Sequence, residues 1–230
     1  MKFVVTGFKE FSGVKENPTE FIVKNLQDYL RVRGKPLPGG AEAVNFTVLK
    51  VAGREVSEWL ALAAKTVSEG VPEDSEIIWI HFGVDTHAKT FKLEVRAKNE
   101  ASFRCPDQDG WQPDHEAIDN EECIDSYLYT DLPVKAIIAS MGPETCLSTN
   151  AGLFVCNYTL YCSLRQCSQH SKGRTSKWHA LFVHVPPFSV ISADKQIKFA
   201  ANLLDVLAGT MTLQPSTLYP PQADLLQAVA

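Results

Sequence analysis

Short apolar, β-branched segments alternate with longer amphipathic segments along most of this chain. The short segments predict strands over residues 2–7, 44–52, 75–83, 134–140 and 178–186. The long segments predict helices over residues 18–33, 53–70, 150–166 and 193–210. Strands that alternate with helices favour an α/β sandwich with a mostly parallel sheet. In such sheets a ligand site lies beyond the carboxyl ends of the strands, so the loops there are the first place to look for chemistry.

The length and composition are those of an ordinary globular chain. Its 230 residues predict a single domain over 1–230, with 211–230 as a C-terminal tail of little pattern. The net charge is −5 and no basic patch stands out, so nucleic acid is not an expected ligand. No apolar run approaches the ~20 residues that span a bilayer, and the N-terminus lacks a signal-peptide core. We therefore expect a cytoplasmic protein without a membrane partner, whose six cysteines are reduced thiols.

Cysteine is the candidate nucleophile. The predicted helix over residues 150–166 and the residue that follows it carry Cys156, Cys162 and Cys167, and only Cys156 lies near the N-terminal end. The free amides and the dipole of a helix N-terminus favour a thiolate, and residues 148–152 could direct backbone N–H groups at an oxyanion. The alternative is that Cys156 is a small buried residue, as most helix cysteines are.

Two histidines compete for the role of base. His184 ends an apolar strand, at its carboxyl end, where the chain enters a Pro-Pro loop. His81 is the rival, because it lies near the end of the strand over residues 75–83, and His87 follows in the next loop. The remaining histidines lie in polar stretches and are expected at the surface; they are His115, His170 and His179.

Glu94 is the candidate for orienting an imidazole. It is surrounded by apolar residues, and a carboxylate in such surroundings needs a partner. A histidine is one possible partner, and an ion pair with Arg96 or Lys98 is the simpler alternative. Spacing alone leaves both open.

Four segments in order resemble the pyroglutamyl peptidase type I family of cysteine peptidases, also called pyrrolidone-carboxylate peptidases. They are "VVTGFKEFSGVKENPTE", "HFGVDTHAKTFKLEVRAKN", "STNAGLFVCNYTLY" and "ALFVHVPPFS". The resemblance extends from Met1 to about residue 208. It implies a three-layer α/β/α sandwich around a mostly parallel mixed sheet.

The resemblance also implies an activity and a set of residues. The family hydrolyses N-terminal pyroglutamyl (5-oxoproline) residues from peptides through an acyl-enzyme thioester, without a metal or other cofactor. By position, Cys156 is the nucleophile, His184 the base and Glu94 the orienting carboxylate. Phe8 and Phe11 match the aromatic residues that hold the pyrrolidone ring.

The chain departs from the family pattern in three places. Ser12 replaces a glycine, and Ala88 stands where the family has a basic residue, with Lys89 next to it. The loop "NEASFRCPDQDGWQP" is longer than in bacterial members. These departures leave open a thiol amidase of different acyl preference and a catalytically silent binding protein of the same fold. A zinc enzyme is the weakest alternative, because the thiols and imidazoles lack ligand spacing.

Overall fold

The computed structural model describes residues 1–11, 13–174 and 177–213. Ser12 and most of the predicted tail, residues 214–230, lie outside the described residues. The strands are β1 (Lys2–Phe8), β2 (Glu42–Leu49), β3 (Ile77–Val84), β4 (Phe91–Glu94), β5 (Arg96–Lys98), β6 (Tyr127–Tyr129), β7 (Thr145–Ser148) and β8 (Trp178–Val185). The helices are α1 (Pro18–Val32), α2 (Gly53–Gly70), α3 (Val134–Met141), α4 (Val155–Ser171) and α5 (Ala193–Leu213).

A six-stranded sheet in the order β2-β1-β3-β8-β4-β7 forms the centre of the fold. Every neighbouring pair in it is parallel except β4 and β8, which are antiparallel. β5 and β6 form a separate antiparallel pair. The mostly parallel mixed sheet predicted for this chain is confirmed.

Helices cover both faces of the sheet, each above its own apolar cluster. Alternate residues of β3 show the division: Ile78 and Ile80 pack with α1, α3 and α5, whereas Ile77 and Trp79 pack with α2 and α4. Because β3 is buried on both faces, it is apolar almost throughout, as expected for a central strand of a parallel sheet. The architecture is therefore a three-layer α/β/α sandwich.

Several of the predicted elements differ from the structure in type or bounds. Residues 134–140, predicted as a strand, belong to helix α3, in which Val134, Ile137, Ile138 and Met141 recur at helical spacing. The β-branched composition of this short segment concealed that period. α5 continues through Gly209, which was predicted to end it. Other strand ends shift by a few residues, as element ends usually do.

The helix predicted over residues 150–166 begins five residues later than predicted. The amide of Gly152 donates to Oδ1 of Asn150, and Gly152 has a φ of 77°, so the chain makes a turn before α4 begins at Val155. This shift places Cys156 in the first turn of the helix. No helix in the described part of the chain combines the length and apolarity that a bilayer crossing requires.

Candidate active site

Cys156 lies at the carboxyl end of β3. It is the second residue of α4, and its Sγ would be 3.3 Å from a Cβ placed on Gly83. The same Cβ would come within 2.5 Å of the Phe182 ring, so a side chain at Gly83 would displace both neighbours. Glycine at this position therefore lets the sulfur approach the backbone of the central strands.

His184 and Glu94 lie on neighbouring strands and contact each other directly. Nδ1 of His184 is 2.7 Å from Oε1 of Glu94. His184 pairs with Lys92 across the antiparallel β4–β8 boundary and Glu94 pairs with Phe182, so His184 and Glu94 are diagonal neighbours on one face. Glu94 is completely buried and His184 is nearly so. The ion pairs with Arg96 or Lys98 considered for Glu94 do not form, because Arg96 bonds the Thr149 carbonyl and Lys98 bonds other carboxylates.

The surroundings of His184 stabilise its protonated form. Burial alone would lower its pKa, but the charge of the Cys156 sulfur and hydrogen bonds to Cys156 and Glu94 outweigh burial and raise the pKa to about 10. An imidazole placed between a sulfur and a carboxylate can exchange a proton with the sulfur while the carboxylate holds the ring in position. The arrangement is that of an activated nucleophile with an oriented base.

The start of α4 offers hydrogen-bond donors beside the sulfur. The N-cap residue Phe154 makes no capping hydrogen bond with its side chain, and the first helical hydrogen bond is from the Tyr158 amide to the Phe154 carbonyl. The amides of Val155, Cys156 and Asn157 therefore precede the first closed turn of the helix. Such donors can stabilise negative charge that develops on a substrate oxygen next to Sγ.

A small apolar pocket opens next to Cys156. Its lining consists of Phe8, Phe11, Asn17, Val51, Gly83, Val84, Phe154, Val155 and Cys156. Phe8 is buried with its ring centroid 6.4 Å from that of Phe182, whereas Phe11 is only partly buried and lies 6.3 Å from Phe154. The structure thus brings both predicted phenylalanines to the same pocket as the sulfur. Sequence analysis did not identify Asn17, Val51 or Phe154.

Asn157 holds the nucleophile helix against β5. Its Oδ1 accepts from the Lys98 amide at 2.9 Å, and its Nδ2 donates to the carbonyls of Lys98 and Glu100, each at 2.9 Å. Both polar atoms of the Asn157 side chain, next to Cys156 in the chain, are therefore hydrogen-bonded to backbone groups. The signal for this role in the sequence is that Asn157, a polar residue, falls on the apolar face of the predicted helix.

His81 has a different environment from His184. Its Nδ1 is 2.7 Å from Oγ1 of Thr6 and its Nε2 is 2.9 Å from Oγ of Ser163. It is fully buried, and burial lowers its pKa to about 3. His81 is thus a neutral bridge between β1, β3 and α4, with neither ring nitrogen left for a substrate. His87 is exposed in the loop after β3.

One of the three histidines expected at the surface is not there. His179 is buried at the start of β8, between Oδ1 of Asp131 at 2.6 Å and Oε1 of Glu76 at 3.1 Å. Burial would lower its pKa, but the two carboxylates outweigh burial and raise it to about 9. His115 is exposed, and His170 is partly exposed and stacks on Trp178. The strand that contains His179 was predicted, but the burial of His179 was not, because the carboxylates that bind its ring come from distant segments.

Of the other two cysteines of α4, Cys162 is partly buried and Cys167 is buried, and their thiols ionise less readily than an ordinary thiol. Burial raises the pKa of Cys162 to about 12 and that of Cys167 well above its usual range. Among the described residues, no group of three or more His, Cys, Asp or Glu side chains is arranged to hold a metal ion. Of the three α4 cysteines, Cys156 alone combines partial exposure with an imidazole partner.

Ala88, the position where a basic residue was missing, is buried, and the adjacent Lys89 is exposed. A cation does lie beside the candidate base, but on another residue. Lys92 pairs with His184 across β4 and β8, and its Nζ is 2.7 Å from Oδ2 of Asp85. The charge of this cation is therefore compensated locally.

Comparisons with known proteins show what this chain and its fold are similar to. The family described as pyroglutamyl peptidase matches residues 1–207. The pyrrolidone-carboxylate peptidase of Pyrococcus furiosus is 33% identical over 189 residues, which are 81% of each chain. The structure of pyrrolidone carboxyl peptidase from Thermococcus litoralis superposes with a TM-score of 0.76, at 26% identity, over 96% of this chain and 99% of that one. A variant of the Pyrococcus furiosus enzyme gives a TM-score of 0.73, at 27% identity, over 92% of this chain and all of that one.

Proposed function

Because this chain belongs to the pyroglutamyl peptidase family, we propose that Cys156, His184 and Glu94 are its catalytic residues. The family removes N-terminal pyroglutamate, so the chain is a cysteine-type peptidase that releases 5-oxoproline from peptides. The observation that carries the assignment is the contact of His184 with both other side chains, a 2.7 Å hydrogen bond to Glu94 and the charge interaction with the Cys156 sulfur.

The reaction follows from the protonation states. The Cys156 thiolate attacks the pyroglutamyl carbonyl carbon, and the oxygen takes the negative charge beside the amides at the start of α4. When the intermediate collapses, the C–N bond breaks and His184 gives its Nε2 proton to the leaving amine. Water then attacks the thioester, His184 accepts a proton from that water, and the carboxylic acid and the thiolate are released. Glu94 keeps Nδ1 protonated throughout and holds the ring in position.

The pocket beside the sulfur suits the acyl group of this reaction. Pyroglutamate is an uncharged five-membered lactam, and a lining dominated by Phe8, Phe11, Val51 and Phe154 presents apolar surface to it. A substrate with a free ammonium or carboxylate in the ring position would lose its hydration there without a charged partner. We therefore propose that Phe8 and Phe11 contact the lactam ring.

The test is substitution of the nucleophile. Cys156→Ser and Cys156→Ala should lower the turnover of a pyroglutamyl chromogenic amide by about 10³-fold or more. Cys123→Ser is the matched control, because Cys123 is exposed on the β5–β6 connection. Wild-type enzyme that is quenched with acid during turnover should carry one pyroglutamyl group on Cys156, which mass spectrometry of its proteolytic peptides would detect. Wild-type activity in either Cys156 variant would reject the nucleophile.

The assignment of the base needs its own comparison. His184→Ala should lower the rate by about 10² to 10⁴-fold, whereas His81→Gln should lower stability and leave a folded, active enzyme. Equal losses of activity with the fold intact in both variants would reject His184 as the base. A clear preference for another acyl group across a panel of N-blocked amides would favour an amidase of different specificity. Reactivity toward iodoacetamide with no turnover of any amide would favour a silent binding protein.

We also propose that the chain acts as one peptidase domain in a reducing compartment such as the cytoplasm. The single-domain assignment is supported by the sheet, in which β1 and β8 both pair with β3. The compartment is supported by the six cysteines, all of which are free thiols.

A further inference from the structure

The segment between β5 and β6 packs against residues that line the active-site pocket. We call residues 101–113 of this segment the collar. It folds back on itself through hydrogen bonds from the Phe103 amide to the Pro113 carbonyl and from the Gly110 amide to the Asp107 carbonyl. The Phe103 ring lies 4.8 Å from the ring of Phe154, which lines the pocket two residues before Cys156. The collar therefore supports the pocket from outside.

Hydrogen bonds connect the collar to all three loops that carry pocket residues. The backbone N–H of Gln108 donates to the Val51 carbonyl, and the side-chain Oε1 of Gln108 accepts from the backbone N–H of Val51. Nε2 of Gln108 donates to the Glu10 carbonyl in the loop that carries Phe11, at 2.9 Å. The Ser102 amide donates to the Leu153 carbonyl at 3.1 Å. These hydrogen bonds hold the backbone of the collar in a defined position relative to the pocket.

Arg104 places a positive charge at the rim of this pocket. Its guanidinium carbon lies 5.6 Å from the centre of the Phe154 ring, and the side chain is exposed. Stacking on an aromatic ring orients a guanidinium while its donors stay available to solvent or ligand. Among the residues that the structure describes, no carboxylate lies within ion-pair distance of Arg104.

The acidic side chains of the collar are occupied elsewhere. Asp107 accepts the amides of Gly53, Asp109 and Trp111. Asp109 forms an ion pair with Lys50. The collar therefore presents an uncompensated cation next to the site, and an anion on the substrate is its natural partner.

The part of the substrate that can reach this cation is the first residue after pyroglutamate. The lactam ring carries no charge and fills the pocket, and the scissile carbonyl lies at the Cys156 sulfur. By standard bond lengths, a carboxylate on the next residue lies roughly 4–6 Å from the scissile carbon. Phe154 is two residues from Cys156, so a guanidinium stacked on its ring is within reach of that carboxylate.

We propose that Arg104 recognises a carboxylate on the residue that follows pyroglutamate. The inference rests on the proposed function and narrows its substrate class. Two kinds of substrate carry this chemistry: pyroglutamyl dipeptides, through their free C-terminal carboxylate, and longer peptides with Asp or Glu after pyroglutamate. Peptides that are neutral at this position remain substrates, but with lower kcat/KM.

Arg54 of helix α2, which stacks on a ring of the collar, provides a matched control. Its guanidinium carbon lies 4.8 Å from the centre of the Trp111 ring, and it is also exposed. Trp111 packs on Phe103 but does not line the pocket. Arg54→Gln removes one positive charge from the same part of the surface without removing the cation at Phe154.

The experiment compares two pairs of substrates that differ only in charge. The first pair is pyroglutamyl-alanine and its amide, and the second is pyroglutamyl-glutamate α-amide and pyroglutamyl-glutamine α-amide. In the wild type, kcat/KM should be about two- to fivefold higher for the charged member of a pair, the range of an exposed ion pair. This ratio should fall to about one in Arg104→Gln, persist in Arg54→Gln, and shrink as salt is raised to 0.5 M.

Each outcome has a distinct meaning. A charge effect in the first pair alone assigns Arg104 to dipeptides, and an effect in the second pair alone assigns it to acidic side chains. An unchanged ratio in Arg104→Gln, or an equal loss in Arg54→Gln, overturns the inference. If the wild type cleaves all four substrates without a charge preference, the inference fails while the proposed function stands. If it cleaves none of them, the proposed function itself fails.

Discussion

Oε1 of Glu94 lies 2.7 Å from Nδ1 of His184, and these two residues are 90 positions apart in the sequence. The second carboxylate oxygen of Glu94 is buried and has no hydrogen-bond partner among the described residues. Among the described residues, the imidazole is therefore the single hydrogen-bond partner of the Glu94 carboxylate. A buried carboxylate whose one partner is a histidine stabilises the charged form of that histidine.

Substitution of Glu94 by Gln should change the pH dependence as well as the rate. An amide cannot neutralise an imidazolium, so the pKa of His184 should fall from about 10 and the alkaline limb of kcat/KM should move to lower pH. We expect a loss of about 10²-fold at neutral pH, less than in His184→Ala. Glu144→Gln is the control, since Glu144 forms an exposed pair with Lys195. Superimposable pH profiles for Glu94→Gln and wild type would contradict this role.

Phe11 provides the clean test of ring recognition. It is only partly buried at the pocket, so Phe11→Ala should weaken kcat/KM for pyroglutamyl amides by about 1–3 kcal/mol with little effect on stability. The measurement is kcat/KM for pyroglutamyl, prolyl and glutamyl amides in both proteins. Equal losses on all three substrates would mean that Phe11 supports the fold and does not contact the ring.

Phe8 should contribute to both binding and stability. Its buried ring packs near Phe182, which in turn lies 4.9 Å from the His184 ring. Phe8→Ala should therefore weaken binding as Phe11→Ala does and also lower the free energy of unfolding by about 3–5 kcal/mol. Phe8→Leu keeps most of the volume and separates the two effects. Denaturant unfolding at unchanged m-value checks the stability; an unchanged midpoint in Phe8→Ala would contradict the packing argument.

The buried His81 should make the protein sensitive to acid. Its folded pKa of about 3 lies below the usual 6.5, so the unfolded chain binds a proton at pH values where the folded chain does not. The free energy of unfolding should therefore be unaffected by His81 above about pH 6.5 and fall below it, by at most about 1.4 kcal/mol per pH unit. His81→Gln should be less stable at pH 7 but lose less stability between pH 6.5 and 4.5. Parallel curves for the two proteins would be evidence against this assignment.

His179 should have the opposite effect on the alkaline side. Its folded pKa of about 9 lies above the usual 6.5, so its stabilisation is complete below about pH 6.5 and is lost as the pH rises through 9. Asp131→Asn weakens this pairing far from Cys156. The variant should be destabilised at pH 6 and approach the wild type at pH 9.5, as measured by urea unfolding. A pH-independent difference would mean that the ion pair does not stabilise the fold.

Sequence patterns located best those candidate site residues whose position depends on long, regular elements. Cys156 and His184 were singled out because one lies near a helix start and the other at a strand end, and the structure brings both together. Glu94 was harder, because β4 has only four residues and its antiparallel pairing with β8 leaves no periodic signal. The resemblance to the family, and not the pattern, selected His184 as its partner.

Other buried polar contacts, inside and outside the site, depend on distant segments. The Thr6–His81–Ser163 bridge, the carboxylates around His179 and the amide of Asn157 each join positions far apart in the chain. A local pattern records burial and period, but it does not record which polar group will meet another. For the same reason the sequence did not indicate that the collar reaches the pocket.

The strand order has a consequence for how this protein is made. β8 lies in the middle of the sheet, between β3 and β4, yet among the described strands it is the last to leave the ribosome. Until residue 185 has been synthesised, β2-β1-β3 and β4-β7 lack the strand that joins them, so any sheet they form has an open edge that can pair with another chain. The sulfur of Cys156 is already present at that stage, but its imidazole arrives with the strand that joins the halves. A translation product truncated before β8 therefore carries the proposed nucleophile without the proposed base, and we expect peptidase activity only after the sheet is closed.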